Sequence, residues 1–442
     1  MSIRELGHWQ VAVCGGGPAG FCAAVAAARM GARVALIERY GMCGGILTAL
    51  GNNSVDCFIN PHRGEDRLII DGIAWEFVRR LHAEGHATVP DLYAPYQSNP
   101  QYGVKVNSLA AARLMDDMLL EAGVELFYCQ TLADVEVSGD AGRPVVTGLL
   151  LATKQGLARL QADFVLDTTG DGDVCAFAGA DYACGGQQGE LQPGTMRYYL
   201  SGNLTPETVE AGNALLAELR QSGELTGEDL LYGVNFSLIA SANGDNRNHI
   251  HPLNAVDPAS RTRAEIDARQ RLCKLQRAIE QIGVTIAATA PEVAPRESRR
   301  IRGDSVLTGE EYLACVQQPD AVCHAFWHVD IHAPGNYQAN HKYILRPETP
   351  CIPLSALRCA GLSNVFMAGR CMSGDRQAAS AVRVKASCMA MGQAVGTAAA
   401  LGALHGLTDS RSIPADDVRQ ALSAAGAIVP GLDAPRRVYF GI

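Results

Sequence analysis

The chain has 442 residues, of which 48% are hydrophobic and 19% charged, a composition typical of a folded globular protein. Lysine and arginine total 37 against 46 aspartates and glutamates, so the net charge of −9 argues against binding to nucleic acids. The 14 cysteines form no C-x-x-C pair, which argues against a zinc ribbon, an iron–sulfur cluster and a disulfide scaffold, and favours a cytoplasmic protein.

The N-terminal residues show no targeting signal. Met1–Gln10 is polar, and the apolar run Val11–Val13 is too short for the core of a signal peptide. The segment closest to a membrane span is Cys388–Leu404, which is mostly alanine, glycine and methionine. Because Gln393 and Thr397 would weaken membrane insertion, we expect a close-packed internal helix and no membrane span.

A strand, a helix and a second strand are predicted within about 30 residues near the N-terminus. Val11–Val13 is the first strand, Phe21–Met30 is an alanine-rich helix, and Arg33–Ile37 is the second strand, which Glu38 closes. Between the first strand and the helix lies Gly15–Gly20, which contains the pattern G-x-G-x-x-G. In this context the pattern predicts dinucleotide binding.

Each residue of this fingerprint has a physical role. Gly15 permits the tight turn, Gly17 lets the backbone approach a pyrophosphate, and Gly20 lets helix and strand pack closely. The helix N-terminus supplies N–H groups and a partial positive charge to the phosphates. Glu38 can accept hydrogen bonds from a ribose diol, and its charge opposes the 2′-phosphate of NADP. The fingerprint alone leaves FAD and NAD open.

The rest of the chain alternates between strands and helices except in its middle. The predicted elements are a helix with Leu109, Ala112, Met115 and Leu119 on one face (Leu109–Glu121), strands at Gly123–Tyr128, Val145–Leu151 and Phe164–Asp167, a polar helix at Pro258–Ile282, a strand at Asn364–Ala368 and a helix at Ser387–Leu404. Between about 190 and 350 the alternation is lost, and Asn243–His251 is predicted to be a solvated loop.

Three further segments carry a family resemblance. They read RYGMCGGILT at 39–48, FVLDTTGDG at 164–172 and NVFMAGRCMSGD at 364–375. They resemble the FAD-dependent oxidoreductase family of the glutathione-reductase-like flavoproteins. That family is similar to the heterodisulfide reductase A flavoprotein core and, more distantly, to fumarate reductase flavoproteins. Further matching segments are Gly72–Phe77, Arg296–Gly303, Asp330–His332, Ile352–Pro353 and Gly392–Gly396.

The resemblance implies an α/β fold, with a Rossmann-like FAD-binding domain of the glutathione-reductase type and an inserted mixed α/β substrate domain. The first part of the FAD domain is expected at residues 1–190 and its second part at 351–408. The inserted cap is expected at 191–350, and a C-terminal helix and tail at 409–442.

The resemblance also implies which residues bind FAD. They are Gly15, Gly17, Pro18, Ala19 and Gly20 at the pyrophosphate, Glu38 at the ribose, Arg39 on the adenine or phosphate side, Gly44 and Gly45 near the flavin, Thr169, Gly170 and Asp171 near the adenine half, Gly369 and Arg370 near the ribityl–pyrophosphate region, and Ser387 and Met389 on a helix that points at the flavin O2/N1 edge. A helix N-terminus at that edge stabilises the anionic reduced flavin.

Catalytic candidates lie in the middle segment and beside the glycine turns. His332 can take a proton from a hydroxyl or amine as hydride leaves, and His328 is expected on the same strand face. Arg299 and Arg383, with Arg300, can bind a substrate carboxylate, although salt bridges to surface acids are an alternative.

Cysteine and metal roles are weaker hypotheses. A Cys43 thiolate can form a covalent link or a charge-transfer pair with the flavin, as can Cys371, but free cysteines commonly pack as small hydrophobic groups. His249 and His251 have a spacing that suits a metal, but no third ligand is visible, so no metal site is predicted.

The sequence therefore predicts an FAD-dependent dehydrogenase or oxidase that moves hydride between a small C–OH or C–NH substrate and flavin N5. Oxygen, a quinone or a partner protein would be the electron acceptor, and a homodimer is expected. The alternatives are an NAD(P)H-dependent flavin monooxygenase and a non-catalytic flavin-binding subunit or scaffold. The chain has no second G-x-G-x-x-G unit and no redox-active cysteine pair, which disfavours NAD(P)H as reductant.

Overall fold

The computed structural model describes residues 3–95, 102–139, 142–229, 235–241, 244–245, 248–333 and 340–438. The helices in these ranges are α1 (Pro18–Arg29), α2 (Ile73–Ala83), α3 (Ser108–Glu121), α4 (Asp173–Phe177), α5 (Pro206–Ser222), α6 (Phe236–Ser241), α7 (Pro258–Ile279), α8 (Gly309–Ala314), α9 (Arg376–Val382), α10 (Lys385–Leu404) and α11 (Ala415–Ala424). Short 3₁₀ helices lie at Glu280–Ile282, Leu354–Leu357 and Ser410–Ser412.

The strands are β1 (Arg4–Cys14), β2 (Val34–Glu38), β3 (Ser54–Val55), β4 (Ala87–Thr88), β5 (Val104–Val106), β6 (Glu125–Tyr128), β7 (Thr131–Ser138), β8 (Val145–Thr153), β9 (Gly156–Asp167), β10 (Tyr182–Cys184), β11 (Gly194–Thr195), β12 (Tyr198–Ser201), β13 (Gly244–Asp245), β14 (His249–Ile250), β15 (Thr285–Thr289), β16 (Arg299–Ile301), β17 (Ala321–His324), β18 (Val329–Ile331), β19 (Asn340–Lys342), β20 (Cys351–Pro353) and β21 (Val365–Met367).

A seven-stranded sheet forms the main layer. Its order is β6-β2-β1-β9-β8-β7, and β21 pairs with the second half of β9. The pairs β6/β2, β2/β1, β1/β9 and β9/β21 are parallel, whereas β8 is antiparallel to both β9 and β7. All five residues of β2 are buried, as expected for a parallel strand that is covered on both faces. The chain thus has a mixed α/β fold consistent with a Rossmann-like FAD-binding domain.

Helix α10 packs along α1, close to this sheet. It is buried on nearly all sides, which explains its uniformly apolar composition. By length and composition α10 could also cross a membrane, but 78% of its apolar window is buried inside the protein. An internal helix was expected for Cys388–Leu404, and α10 has the burial of a core helix.

The structure corrects several details of the sequence prediction. Helix α1 begins at Pro18 and not at Phe21, because proline is well tolerated at the first helical position. In α3 the predicted apolar face is wrong at Leu109, which is 80% exposed. The buried face is instead centred on Ala111, Met115 and Met118. Asn107 caps the helix, and Leu109 lies in its first turn on the solvent side.

A second hydrophobic core lies in the middle of the chain. It contains Leu200, Leu216, Phe236 and Leu272, contributed by β12, α5, α6 and α7. The buried side chains of Leu307, Tyr312, Val322 and Ile344 belong instead to the first core, which also contains residues of α1 and α10.

Candidate active site

Four of the predicted cofactor segments converge at one edge of the main sheet. Strands β1, β2, β9 and β21 are parallel neighbours, and each ends immediately before or at a predicted segment. These segments are Gly15–Gly20, Glu38, Thr169–Asp171 and Gly369–Arg370. Ligands of open α/β sheets bind at the carboxyl ends of the strands, so this edge is the candidate cofactor site.

The glycine turn after β1 has the geometry of a phosphate cradle. Gly15 has a φ of +98°, which favours glycine, and a Cβ at Gly20 would lie 1.8 Å from the carbonyl oxygen of Gly15. A Cβ at Gly17 would meet no atom within 4 Å, so Gly17 faces open space at the N-terminus of α1. Pro18 and Ala19 form the buried start of that helix. The turn therefore fits a pyrophosphate.

Glu38 lies beside this turn. Its Oε2 accepts a hydrogen bond from the Gly16 N–H (2.7 Å), and its Oε1 accepts one from the Tyr40 N–H (2.8 Å). Burial raises the pKa of Glu38, while these two hydrogen bonds oppose the rise. The carboxylate is thus held at the end of β2, where a ribose next to the phosphate cradle would lie.

After Glu38, the Arg39 side chain points away from the glycine turn, whereas the backbone at Gly44 returns to it. Arg39 donates to Glu292 (2.9 Å) and stacks on the ring of Tyr40, so its side chain reaches toward the segment before β16. Gly44 returns to the phosphate cradle, since its N–H donates to the Gly16 carbonyl (2.7 Å). A Cβ at Gly45 would lie 3.4 Å from the Cα of Gly17, so the second glycine turn lies against the first.

The Cys43 thiol is fully buried next to the same turn. A Cβ at Gly16 would lie 2.7 Å from the Cys43 sulfur. Burial raises the pKa of Cys43, and the nearby charge of Glu38 adds to the rise. Cys371 is also fully buried, and burial raises its pKa. Both surroundings favour the neutral thiol, whereas the charge-transfer hypothesis needs a thiolate.

The turns after β9 and β21 are joined by an ion pair. Arg370 Nη2 lies 2.8 Å from Asp171 Oδ1, and Arg370 Nη1 donates to Ser298 Oγ (2.7 Å). Thr169 donates to Asp167, and Gly170 lies beside the Arg370 guanidinium. A Cβ at Gly369 would lie 3.4 Å from the Ala19 side chain. The predicted Thr169–Asp171 and Gly369–Arg370 segments are therefore brought together at the start of α1.

The N-terminus of α10 presents buried polar groups. The helix begins at Lys385, two residues before the predicted start, and the Lys385 side chain is buried, which lowers its pKa. Ser387 is also buried, and its Oγ has no hydrogen-bond partner among the described residues. Met389 is fully buried in the same helix. A buried ammonium and an orphaned hydroxyl at a helix N-terminus fit an electron-rich ligand.

A second group of polar side chains surrounds Asp330, and we call it the Asp330 cluster: Asp330, His332, His341 and Arg383. Asp330 Oδ1 lies 3.2 Å from His332 Nε2 and 3.1 Å from His341 Nε2, and Oδ2 lies 3.2 Å from Arg383 Nη2. Burial alone would raise the pKa of Asp330, but hydrogen bonds from the two histidines and the charge of Arg383 hold it well below its usual range. Asp330 is therefore ionised.

His332 has one engaged and one orphaned ring nitrogen. Its Nδ1 is buried and has no hydrogen-bond partner among the described residues. Burial lowers the pKa of His332 to about 4, and the charge of Arg296 contributes to the shift. The ring is therefore neutral at pH 7. Its backbone N–H donates to Gln192 Oε1 (3.1 Å), which fixes the main chain at this point.

His249 packs against His332, contrary to the predicted solvated loop. The ring centroids are 4.9 Å apart with the planes nearly perpendicular, and His249 is only 8% exposed. The cause is the pairing of β14 with β11, in which His249 lies opposite Thr195. Burial lowers the pKa of His249 to about 2, and its Nδ1 has no partner among the described residues. Residues 243, 246 and 247 of the predicted loop lie outside the described residues.

The prediction that His328 and His332 share a strand face assumed a regular strand, whereas β18 contains only Val329–Ile331 and both histidines lie just outside it. His328 stacks on Trp327 (4.7 Å) and contacts the His341 ring (4.3 Å). The ligand atoms of His328, Asp330 and His341 lie within 4.8 Å of one another and could hold a metal ion. The Asp330 charge is already matched by Arg383, and the absence of a metal stays a prediction.

The three predicted carboxylate-binding arginines do not come together. Arg299 pairs with Asp173 (2.8 Å), and Arg300 donates to the Gly185 carbonyl (2.9 Å). Arg383 alone lies in the Asp330 cluster. Sequence reasoning missed Asp330 as the partner of His332, and its only sequence signal was the Asp-x-His spacing.

The sequence model of the family described as FAD dependent oxidoreductase matches residues 10–422. No curated protein matches the chain. Among solved structures, THI4 of Thermovibrio ammonificans is 23% identical over 40% of this chain and 64% of its own, with a TM-score of 0.28. The anhydrotetracycline hydroxylase OxyS from Streptomyces rimosus is 15% identical over 45% of this chain and 39% of its own (TM-score 0.29).

A geranylgeranyl bacteriochlorophyll reductase-like protein from Thermoplasma acidophilum is 11% identical over 96% of this chain and 83% of its own, with a TM-score of 0.39. The chain spans less than two thirds of the length of the Thermovibrio and Streptomyces proteins.

Proposed function

Because the chain belongs to the family of FAD dependent oxidoreductases and is therefore an enzyme that uses FAD, we propose that it transfers hydride between a small organic substrate and FAD. The substrate carries the reacting hydrogen on a carbon with a hydroxyl or amino group. The Asp330 cluster supplies the base, and His332 is the residue that accepts the substrate proton.

One observation carries this proposal: Nε2 of His332 contacts Asp330, whereas Nδ1 of the same ring has no hydrogen-bond partner among the described residues. Ionised Asp330 can only accept hydrogen bonds, so Nε2 of His332 carries the ring proton and Nδ1 of the neutral ring carries a lone pair. That lone pair is buried and unpartnered among the described residues, which supports a role as proton acceptor from a bound substrate. Arg383 holds Asp330 in place from the other side.

The cofactor would be held by residues of the main sheet edge. Gly17 and the N-terminus of α1 would take the pyrophosphate, and Glu38 the ribose. Lys385 and the N-terminus of α10 would face the electron-rich edge of the flavin. Bound FAD supplies the hydride acceptor.

We further propose the glutathione-reductase type of organisation, with residues 191–350 inserted as a cap between 1–190 and 351–408 and the tail at 409–442. The pairing of β21 with β9 and the second core around Leu216 support it, although Leu307, Tyr312 and Ile344 pack with the first core. A cytoplasmic homodimer that passes electrons to oxygen, a quinone or a partner protein completes the proposal.

The test measures flavin reduction in the purified holoenzyme. Anaerobic bleaching of the flavin is screened with alcohols, amines and NAD(P)H, and the best substrate is then tested on His332→Gln. We expect the variant to keep stoichiometric FAD and to reduce it about 10²-fold more slowly or worse. The matched control, His405→Gln, replaces a histidine outside the cluster and should leave the rate unchanged. An unchanged rate in His332→Gln, or bleaching by NAD(P)H alone, contradicts the proposal.

A further inference from the structure

One side of helix α9 contacts both the main chain and the side chain of Asp330. Arg376 and Ser380 lie in α9 and Arg383 is its C-cap, and this spacing puts all three on the same face. Ser380 Oγ donates to the Gln377 carbonyl (2.7 Å), and its oxygen accepts from the Asp330 N–H (3.1 Å). Arg383 donates to the Asp330 carbonyl (3.1 Å) as well as to its carboxylate. Helix α9 therefore holds Asp330 at three atoms.

A series of hydrogen bonds connects the same helix to His332. The His332 N–H donates to Gln192 Oε1 (3.1 Å). Gln192 in turn donates twice to Glu297, from its backbone N–H (2.6 Å) and from its Nε2 (3.2 Å). Arg376 pairs with both oxygens of Glu297, through Nε (3.2 Å) and Nη2 (2.9 Å), and its Nη1 pairs with Glu190 (2.6 Å). The position of the His332 main chain thus depends on a side chain of α9.

The chemistry of these groups fixes the orientation of the Gln192 amide. A carboxylate accepts hydrogen bonds and donates none, so Nε2 of Gln192 faces Glu297 and Oε1 faces the His332 N–H. Gln192 is 2% exposed and Glu297 is 7% exposed. Buried hydrogen bonds to an ionised group are strong, and an unpaired member would be costly. Gln192 is therefore held in the orientation that binds the His332 main chain.

Helix α9 also joins two segments of the proposed cofactor site. The chain passes from the turn Gly369–Arg370 into α9, and from α9 directly into α10, which carries Lys385 at its N-terminus. The element that holds Asp330 and His332 is thus attached at both ends to segments proposed to bind FAD. Proton transfer needs a heavy-atom distance of about 2.6–3.2 Å, so the position of the base relative to the flavin matters.

We propose that α9 sets the position of the base relative to the flavin, with Gln192 and Ser380 as positioning residues. Gln192 holds His332 and Ser380 holds Asp330, each through a main-chain N–H. The inference rests on the proposed function, because it takes His332 as the base. Loss of either acceptor should leave FAD bound and displace the imidazole from the substrate proton. A displacement of about 1 Å can cost about 10²-fold in rate.

A double-mutant cycle tests the role of Gln192. Gln192→Met keeps an unbranched side chain of similar length and removes both side-chain hydrogen bonds. We expect it to slow anaerobic flavin reduction at least about tenfold, with the alcohol or amine that bleaches the holoenzyme fastest. In the His332→Gln background the same change should alter the residual rate less than about twofold, because the base is already absent. Equal factors in both backgrounds, or an unchanged rate in folded Gln192→Met, would overturn the role of Gln192.

Ser380→Ala tests the contact with Asp330 by a smaller truncation. It removes the acceptor of the Asp330 N–H, and we expect a loss of about threefold to tenfold in the reduction rate. Ser363→Ala is the matched control, because the Ser363 hydroxyl also bonds a backbone carbonyl, that of Arg143 (2.8 Å), but lies before β21. FAD content and the unfolding midpoint check that each variant folds. An unchanged rate in Ser380→Ala, or an equal loss in Ser363→Ala, would overturn the role of Ser380.

The ring nitrogens of His332 give a readout that needs no substrate. In ¹⁵N-histidine-labelled holoenzyme, the His332 signals are those that disappear in His332→Gln. We expect one protonated and one unprotonated nitrogen in the wild type, because Nε2–H faces Asp330. Gln192→Met should move the two chemical shifts toward each other as the tautomers exchange, while the His405 signals stay in place. Unchanged His332 shifts would contradict positioning by Gln192.

The proposed function and this inference fail in different variants. If His332→Gln reduces the flavin as fast as the wild type, the proposed function is wrong and the inference falls with it. If His332→Gln is slow but Gln192→Met and Ser380→Ala are not, His332 remains the base and positioning by α9 alone is wrong.

Discussion

Glu38 illustrates how a single buried carboxylate can serve both the fold and the cofactor. Its two oxygens satisfy the backbone N–H groups of Gly16 and Tyr40. Removal of the side chain would leave two buried donors unsatisfied, at about 1–3 kcal/mol each. The substitution Glu38→Ala should therefore lower the unfolding midpoint as well as FAD affinity, so loss of FAD in that variant would not by itself identify a ribose contact.

Substitution of Gly17 tests the cofactor site separately from the stability of the fold. Because a Cβ there meets no protein atom within 4 Å, Gly17→Val should fold like the wild type and yet fill the space of the pyrophosphate. We expect FAD content, measured by absorbance after purification and reconstitution, to fall below about one tenth of the wild-type value. The unfolding midpoint of the apoprotein should be unchanged. Stoichiometric FAD in Gly17→Val would contradict the assignment of the cradle.

The pH dependence of flavin reduction tests the ionisation state of His332. Burial lowers its pKa to about 4, the charges of Arg296 and Arg383 add to the shift, and Asp330 opposes it. The base is therefore already deprotonated at pH 5. We expect the reduction rate constant to be level between pH 5 and 8 and to fall about tenfold per pH unit only below about pH 4. A fall centred near pH 6.5 would show an unperturbed histidine as the base instead.

Helices α1 and α10 act as a unit because glycines let their backbones touch. A Cβ at Gly392 would lie 2.0 Å from the Ala19 carbonyl oxygen, and one at Gly396 would lie 2.2 Å from that of Ala23. The two glycines are four residues apart and so share a helix face. Since the N-terminus of α1 follows the glycine turn and that of α10 carries Lys385, this contact sets the spacing between the two ends of the candidate cofactor site.

Gly396→Ala should separate the two helices. Alanine is the better helix former by about 1 kcal/mol, but a methyl group against the Ala23 backbone is overpacked and costs about 1–3 kcal/mol or more. We expect a net loss of unfolding free energy, measured by urea denaturation, together with weaker FAD binding. Gly64→Ala, where no atom lies within 4 Å, serves as the control and should change stability by less than about 0.5 kcal/mol. Stability equal to the wild type in Gly396→Ala would contradict the packing argument.

For the molecule as a whole, the proposed cofactor site combines segments from both ends of the chain. The segment Gly15–Gly20 and Glu38 come from the first strands, whereas Gly369, Arg370 and the start of α10 come from the last part. The middle of the chain builds the second core and contributes His249 and Arg296 beside the Asp330 cluster. A ligand that contacts the first and last segments at once should therefore stabilise the entire protein.

Thermal unfolding measures how much bound FAD stabilises the protein. At a free FAD concentration of 100 times the dissociation constant, binding should add about 2.7 kcal/mol to the free energy of unfolding. We expect the apoprotein to unfold several degrees below the holoenzyme in scanning calorimetry and to regain the higher midpoint when FAD is added. Equal midpoints for the apoprotein and the holoenzyme would contradict a site shared between the two ends of the chain.

The proposed cofactor-binding segments were predictable from the sequence, because the signals that mark them are short-range. The strand, the glycine turn, the helix and Glu38 follow one another within about 30 residues, and each has a local steric or electrostatic reason to be there. The sequence was less informative about which face of a helix is buried. It put Leu109 on the buried face of α3, because periodicity gives the spacing of a face but not which neighbour covers it.

The contacts of the Asp330 cluster and of His249 could not be predicted from the sequence. The pairing of β14 with β11 buries His249 against His332, and packing brings Arg383 to Asp330 while it turns Arg299 toward Asp173. These contacts join residues far apart in the chain, and their pKa values follow from burial and neighbouring charge, which exist only once the chain is folded. Residue type made His332 a candidate base, whereas burial keeps its ring neutral and the contact with Asp330 leaves the lone pair on Nδ1.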